Sequence, residues 1–235
     1  MIDLVAAQEM VLNCLKDKIS TFYLGGGTAL AKYYLQHRQS YDLDFFTKEL
    51  DFLWVDKLMH EAAGNMGLSL KQIGKTDKQG MIRIVVYMLV FGDGFELKVD
   101  FIEDWLDLRS SARNINGINV FSVEDIYLRK LLAVIGARAE FDDTGRLKHL
   151  GGRQEAKDFY DLYFLSQIAM PLAEFVDKYC GPSQKEALVR WFKTYDRLEI
   201  KAGLLELLQR KEIDYKKMEA HFKQQVDKVL EKELK

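Results

Sequence analysis

Cysteine and proline are scarce in this chain, with two of each in 235 residues. Cys14 and Cys180 are too few for a disulfide framework, and no C-x-x-C occurs. The four histidines (His37, His60, His149 and His221) share no ligand spacing with either cysteine, which argues against a structural zinc site. Such cysteine usage fits a reducing cytoplasm. Two prolines and 16 glycines exclude collagen-like and proline-rich linker architectures. Charge of one sign is also missing. The 34 basic and 36 acidic side chains leave a net charge of −2, so any contact with nucleic acid has to come from a local patch. The most apolar stretch, Met81 to Phe91, carries Arg83 and is too short to span a bilayer. The N-terminus lacks the basic start and apolar core of a signal peptide. These absences predict a soluble, cytoplasmic protein with no membrane contact.

What is present is enough apolar sequence for a packed core, 48% of the chain, which excludes disorder as the main state. Residues 3–19 repeat apolar positions at a helical period. Thr21 to Leu24 reads as a short strand, stopped by Gly25-Gly26-Gly27, and Thr28 to Gln36 as a helix opening from those glycines. Tyr41 to Phe46 reads as a strand and Asp51 to Asn65 as a helix. Ser69 to Ile73, Met81 to Phe91 and Phe95 to Ile102 read as strands, the last two joined by a turn at Gly92-Asp93-Gly94. Ile118 to Phe121 is a further short strand. From Ser122 onward nearly everything reads helical. A helix runs to about Ala139, a polar loop covers Phe141 to Gly152, and helices follow over Glu155 to Ile168, from Pro171, over Ser183 to Tyr195, and through the remainder.

Two features carry chemistry. Consecutive glycines between a strand and a helix leave backbone N–H groups uncovered, and the helix start adds partial positive charge, so Gly26, Gly27 and Thr28 can hold phosphate oxygens. A tight turn with no ligand is the commoner meaning of such a run. Asp42 and Asp44 change the balance. On a strand they share one face, while Leu43 and Phe45 point into the core. Paired carboxylates repel unless a cation neutralises them, and hard divalent ions favour such oxygen donors. In Phe95 to Ile102, Glu96, Lys98 and Asp100 share one face. If that strand lies beside Tyr41 to Phe46, Asp100 completes a two-metal site suited to phosphoryl or nucleotidyl transfer; taken alone, it fits an edge strand of alternating charges equally well.

The segments G26-G-T-A-L-A-K-Y-Y-L and Y41-D-L-D-F-F resemble the opening motif of the DNA polymerase β-like nucleotidyltransferase superfamily. In detail they resemble its AbiEii/AbiGii toxin branch, from abortive-infection and toxin–antitoxin systems. Two later segments extend the likeness, L128-R-K-L-L-A-V-I-G-A-R138 and A156-K-D-F-Y-D-L-Y-F-L165. It therefore covers Phe22 to about Leu165. The resemblance implies an α/β (α+β) nucleotidyltransferase core with a mixed sheet over residues 1–120. A mostly helical C-terminal module over 121–235 is expected to pack on it.

It also implies Mg²⁺ or Mn²⁺ as cofactor, held by Asp42 and Asp44 with Asp100 as candidate third ligand or base. A nucleoside triphosphate would lie on Gly26, Gly27 and Thr28. Lys130 and Asp158 match the later lysine and aspartate implicated in activity, with Arg138 and Asp161 as looser fits. Read without the family, Lys130 is either a lysine snorkelling from an apolar helix or a cation that neutralises charge on the triphosphate, and Asp158 is a salt-bridge partner of Lys130 or Arg138 that would also position the lysine. The stretch between Arg138 and Lys157 is longer than the pattern requires. Its Arg146, Lys148, His149 and Arg153 form either an RNA-facing patch or a solvated loop. The acceptor implied is tRNA, another RNA or a protein, and the implied partner a cognate antitoxin. The competing readings are a small-molecule nucleotidyltransferase and a catalytically silent binding module of the same fold.

Overall fold

The computed structural model describes residues 2–77, 82–92 and 94–233. Met81 and Asp93, which belong to the strand and turn expected there, lie outside the described residues. The chain divides into two compact units, one of Met1–Tyr34 with Ser40–Ser122, the other of Leu35–Gln39 with Val123–Lys235. The second unit thus borrows a five-residue piece, LQHRQ, from inside the first. Sequence periodicity does not show such an excursion, because it reads one segment at a time.

The first unit is built on a mixed seven-stranded sheet of order β3-β4-β5-β2-β1-β7-β6. Its strands are β1 (Tyr23–Leu24), β2 (Leu43–Thr47), β3 (Ser69–Thr76), β4 (Ile84–Val90), β5 (Glu96–Glu103), β6 (Arg113–Ile115) and β7 (Ile118–Val120). The β4–β5 pair is the expected antiparallel hairpin. β2 and β5 run parallel and adjacent, with Asp44 paired to Asp100. The pleat then sorts their side chains. Leu43, Phe45, Leu97, Val99 and Phe101 are buried, all but Leu97 completely. The short strand β6 was not anticipated, since Arg113-Asn114-Ile115 has no alternating pattern.

Helices α1 (Leu4–Leu15) and α3 (Phe52–Met66) pack on one another and against β5 and β3. Asp3 and Asp51 cap their first turns by accepting from Ala6 N–H and from the Leu53 and Trp54 N–H groups. Gly67, at φ +66°, closes α3. Between them lies α2 (Gly26–Leu30), which widens into a π-helical turn over Ala31–Leu35. Such widened turns are rare. Here it ends where the chain leaves the first unit.

The second unit contains α4 (Val123–Ile135), a two-stranded hairpin of β8 (Arg138–Phe141) and β9 (Leu147–Leu150), α5 (Ala156–Ile168), α6 (Leu172–Tyr179), α7 (Pro182–Thr194), α8 (Arg197–Glu206) and α9 (Tyr215–Glu233). The hairpin replaces the loop expected over 141–152, and α4 ends at Ile135, short of Ala139. Gly136, at φ +98°, breaks the helix there. Helix α5 is buried on nearly every side from Asp158 to Ser166. Phe159 at its centre meets the rings of Trp191, Tyr195, Tyr215 and Phe222. A helix buried all round has to satisfy its own polar side chains inside the protein. No helix among the described residues is long and apolar enough to cross a membrane.

Candidate active site

The glycine turn and the carboxylates meet in the first unit. Gly25 N–H donates to the Asp44 carbonyl at 2.9 Å, which ties the turn to β2. Gly26 follows at φ +64° and lies directly over the Asp44 side chain. A Cβ at that position would stand 1.8 Å from Asp44 Oδ2. No other residue type fits there, on backbone and on space. Ala29 is the first residue of α2 to donate back, to the Gly25 carbonyl at 3.2 Å. The N–H groups before it are the ones a helix start leaves without an intrahelical acceptor. Thr28 is buried and its hydroxyl donates to the Asp42 carbonyl. It fixes the approach to β2, a job apart from the phosphate contact expected of it.

Asp44 and Asp100 occupy one rung of the parallel β2–β5 pair, and Asp42 precedes β2 on the same face. Asp100 is buried, whereas the Asp42 side chain is 36% exposed. Lys98, two residues before Asp100 and on its face, brings its Nζ to 2.7 Å from Asp100 Oδ2 and 3.7 Å from Asp42 Oδ2. Burial alone would weaken the hold of Lys98 on its proton. The hydrogen bond to Asp100 and the charges of Asp100, Asp42 and Asp44 outweigh burial and raise its pKa above the ordinary lysine range. Lys98 was visible on the correct face in the sequence, but its charge gave no sign that it would turn inward.

Among the described residues, no three His, Cys, Asp or Glu side chains are grouped as a ready chelate for a metal ion. The donor chemistry nonetheless suits a hard divalent cation. The oxygens come from carboxylates, and a positive group, the Lys98 ammonium, already stands against two of them. Asp42, Asp44 and Asp100 are therefore the residues that could hold Mg²⁺ or Mn²⁺.

The second unit holds a different cluster. Lys130 on α4 is buried and does not snorkel. Its Nζ lies 2.8 Å from Asp158 Oδ1 and 2.7 Å from Asp161 Oδ2, both on α5. Arg38 grips Asp161 with two hydrogen bonds, Nε to Oδ1 at 2.6 Å and Nη2 to Oδ2 at 2.7 Å. His37 Nε2 adds a third contact to Asp161 Oδ1 at 2.7 Å. Arg153 reaches Asp158 through Nε at 2.5 Å and Nη2 at 3.1 Å. Burial would push Asp161 up. The charges of Lys130 and Arg38 and the hydrogen bonds from Arg38 and His37 prevail and hold it well below the usual aspartate range. Asp158 is lowered in the same way, against burial, by Lys130 and Arg153. Burial lowers the His37 pKa despite Asp161, with Arg38 and Lys130 adding to the fall.

The structure therefore brings Lys130, Asp158 and Asp161 together and leaves Arg138 outside. Arg138 stands on β8, exposed, paired with Glu140. Arg153 takes the place beside Asp158 instead. Its N–H donates to the Ala133 carbonyl at 2.8 Å, the partner a residue one turn further along α4 would serve. Gly152 sits against the same helix end, where a Cβ would stand 2.2 Å from the Val134 carbonyl oxygen. Residues 137–151 are thus an excursion that leaves α4 and returns to it. His37, Arg38 and Arg153 were missed as cluster members. The first two lie in the crossing segment, and Arg153 lies beyond the excursion.

Comparison with known proteins bears on the family and the fold. A family model described as nucleotidyl transferase AbiEii toxin, type IV toxin–antitoxin system, matches residues 12–234. Among solved structures, a protein of H. pylori assigned as a nucleotidyltransferase shares the fold at a TM-score of 0.59 and 20% identity, covering 95% of this chain and 93% of that one. JHP933 from Helicobacter pylori gives 0.56 and 18%, over 98% and 93%. No curated protein matches.

Proposed function

Because the chain belongs to the AbiEii nucleotidyl transferase toxin family, we propose that it moves a nucleotidyl group from a nucleoside triphosphate to an RNA (tRNA) or protein acceptor, as the toxin of a toxin–antitoxin pair. The observation that carries this reading is the Asp44–Asp100 rung under Gly26, with Asp42 and Lys98 beside it. An acceptor hydroxyl attacks the α-phosphorus and pyrophosphate leaves. Asp42, Asp44 and Asp100 would hold Mg²⁺ or Mn²⁺, which when bound neutralises charge on the attacking and leaving oxygens. The glycine turn orients the triphosphate through backbone N–H groups. Asp100, buried next to the reacting position, is the candidate base for the acceptor proton. Lys130, Asp158 and Asp161 support the second unit from within, as their burial favours. The partner expected is a cognate antitoxin.

The test is a transfer assay. Purified protein with Mg²⁺, each of the four α-³²P-labelled triphosphates, and total bacterial RNA or protein is run beside Asp44→Ala. Label entering one fraction, and absent with Asp44→Ala, is expected. Absence of both transfer and cation-dependent triphosphate binding would replace this reading with a silent module of the same fold.

A further inference from the structure

Lys98 has a job that a surface lysine does not. Its ammonium contacts Asp100 and stands within ion-pair reach of Asp42, with the charge of Asp44 also acting on it. Strand geometry fixes this. Lys98 and Asp100 are two apart on β5 and so share a face, and Asp100 sits level with Asp44 on β2. Carboxylates that share a face repel one another, and an ammonium set against two of them lowers that repulsion. The Lys98 side chain is 34% exposed, against 8% for Asp100. The anchor is therefore buried, and the lysine is partly exposed on a four-carbon stem that can turn. A divalent cation and this ammonium compete for the same carboxylate oxygens.

We propose that Lys98 is a built-in counter-ion which holds the Asp42–Asp44–Asp100 cluster together until a cation and a triphosphate arrive together. This rests on the reading of the cluster as the cation and nucleotide site. Without nucleotide, the ammonium opposes the cation on Asp100. With nucleotide, the phosphate oxygens give the ammonium another anionic partner, and the opposition is removed. Lys98 thus couples the two binding events. By linkage the coupling is reciprocal, so the cation tightens the nucleotide by the factor the nucleotide tightens the cation.

The experiment measures Mn²⁺ binding to the full chain by calorimetry, alone and with an α,β-methylene nucleoside triphosphate, each of the four bases in turn. Wild type, Lys98→Met, Lys98→Arg and Asp44→Asn are compared. Without nucleotide, Lys98→Met should bind Mn²⁺ on the order of tenfold tighter than wild type. The tightening of Mn²⁺ by nucleotide should shrink in Lys98→Met and persist in Lys98→Arg. Equal Mn²⁺ affinity in wild type and Lys98→Met, or unchanged coupling, overturns the proposal while leaving the site reading standing. A salt bridge that only supports the strand would leave the coupling unchanged. If no protein binds Mn²⁺ with any analogue, or if Asp44→Asn binds it as wild type does, the site reading fails and the proposal with it. Should Lys98→Met fold poorly, the lysine ε-CH₂ NMR signals of wild type serve instead. The Lys98 signal, identified by its loss in Lys98→Arg, should move when Mn²⁺ is replaced by diamagnetic Mg²⁺ with analogue, and an unmoved signal overturns the proposal.

Discussion

Gly26 covers the carboxylate of Asp44 so closely that one added carbon would lie 1.8 Å from its Oδ2. The glycine is therefore a steric condition for the position of that carboxylate, apart from anything its N–H does. Gly26→Ala would meet two penalties, the positive φ of 64° and the collision. The backbone penalty alone is about 1–3 kcal/mol. Either Asp44 or the turn must shift, and a misplacement near 1 Å costs on the order of 100-fold in rate. Thermal melts and the transfer assay should show both losses. A fully active, fully stable Gly26→Ala would remove the steric argument.

The residues explain why this part was legible. G26-G-T and D42-L-D are local patterns, and strand alternation by itself places Leu43 and Phe45 inward, where both are buried. The Asp44–Asp100 rung was conditional on two strands being neighbours, and β2 does lie beside β5. What was hidden depends on long-range pairing. Arg38 reaches Asp161 across 123 residues, and nothing in the segment LQHRQ signals its exchange between units. Arg153 was masked by an excursion whose two ends meet only in space. Lys130 can be read from its apolar helix neighbours either as a snorkelling side chain or as a cation for the triphosphate, while its double pairing to Asp158 and Asp161 depends on another helix.

Lys130→Met should unfold the second unit more easily. Both carboxylates stay buried, and each loses one of its cations. Breaking a buried pair costs about 3–5 kcal/mol. Arg38 and Arg153 remain, so about 3 kcal/mol is the expected loss. Urea denaturation measures it. An inactive Lys130→Met of wild-type stability would instead mean that the ammonium acts on substrate.

Acid should weaken the protein in two stages. His37 and His221 are both lowered by burial, so the unfolded chain takes protons that the folded chain declines. Stability therefore starts to fall as pH drops through about 6.5, the unfolded value, and this loss levels off below the folded values. Asp158 and Asp161 are lowered by their cations. Their contribution is complete above about 3.9 and is lost as pH falls further, through the folded values. Urea midpoints from pH 7.5 to 3 should show both stages. His37→Gln should flatten the first, leaving the His221 share, and keep the second. An unaltered first stage in that variant would count against a buried neutral His37.

Arg138, at the start of the 137–151 excursion, and Arg153, just beyond it, separate sequence position from spatial position. Arg138 is the looser fit to the motif, and it is 70% exposed and paired along its own strand with Glu140. Exposed pairs contribute roughly 0–1 kcal/mol, so Arg138→Met should leave stability nearly unchanged. Arg153 makes two hydrogen bonds to a carboxylate with no exposed surface. The Arg153 side chain is 46% exposed, which screens part of the interaction. Arg153→Met should therefore cost about 1–2 kcal/mol, below the figure for a fully buried pair. Paired urea titrations decide the order. If Arg138→Met proves the more destabilising, the excursion carries structure that its exposure conceals. If Arg138→Met keeps its stability and loses transfer, the arginine works on the substrate from the base of the exposed hairpin, while Arg153 supports α5 through Asp158.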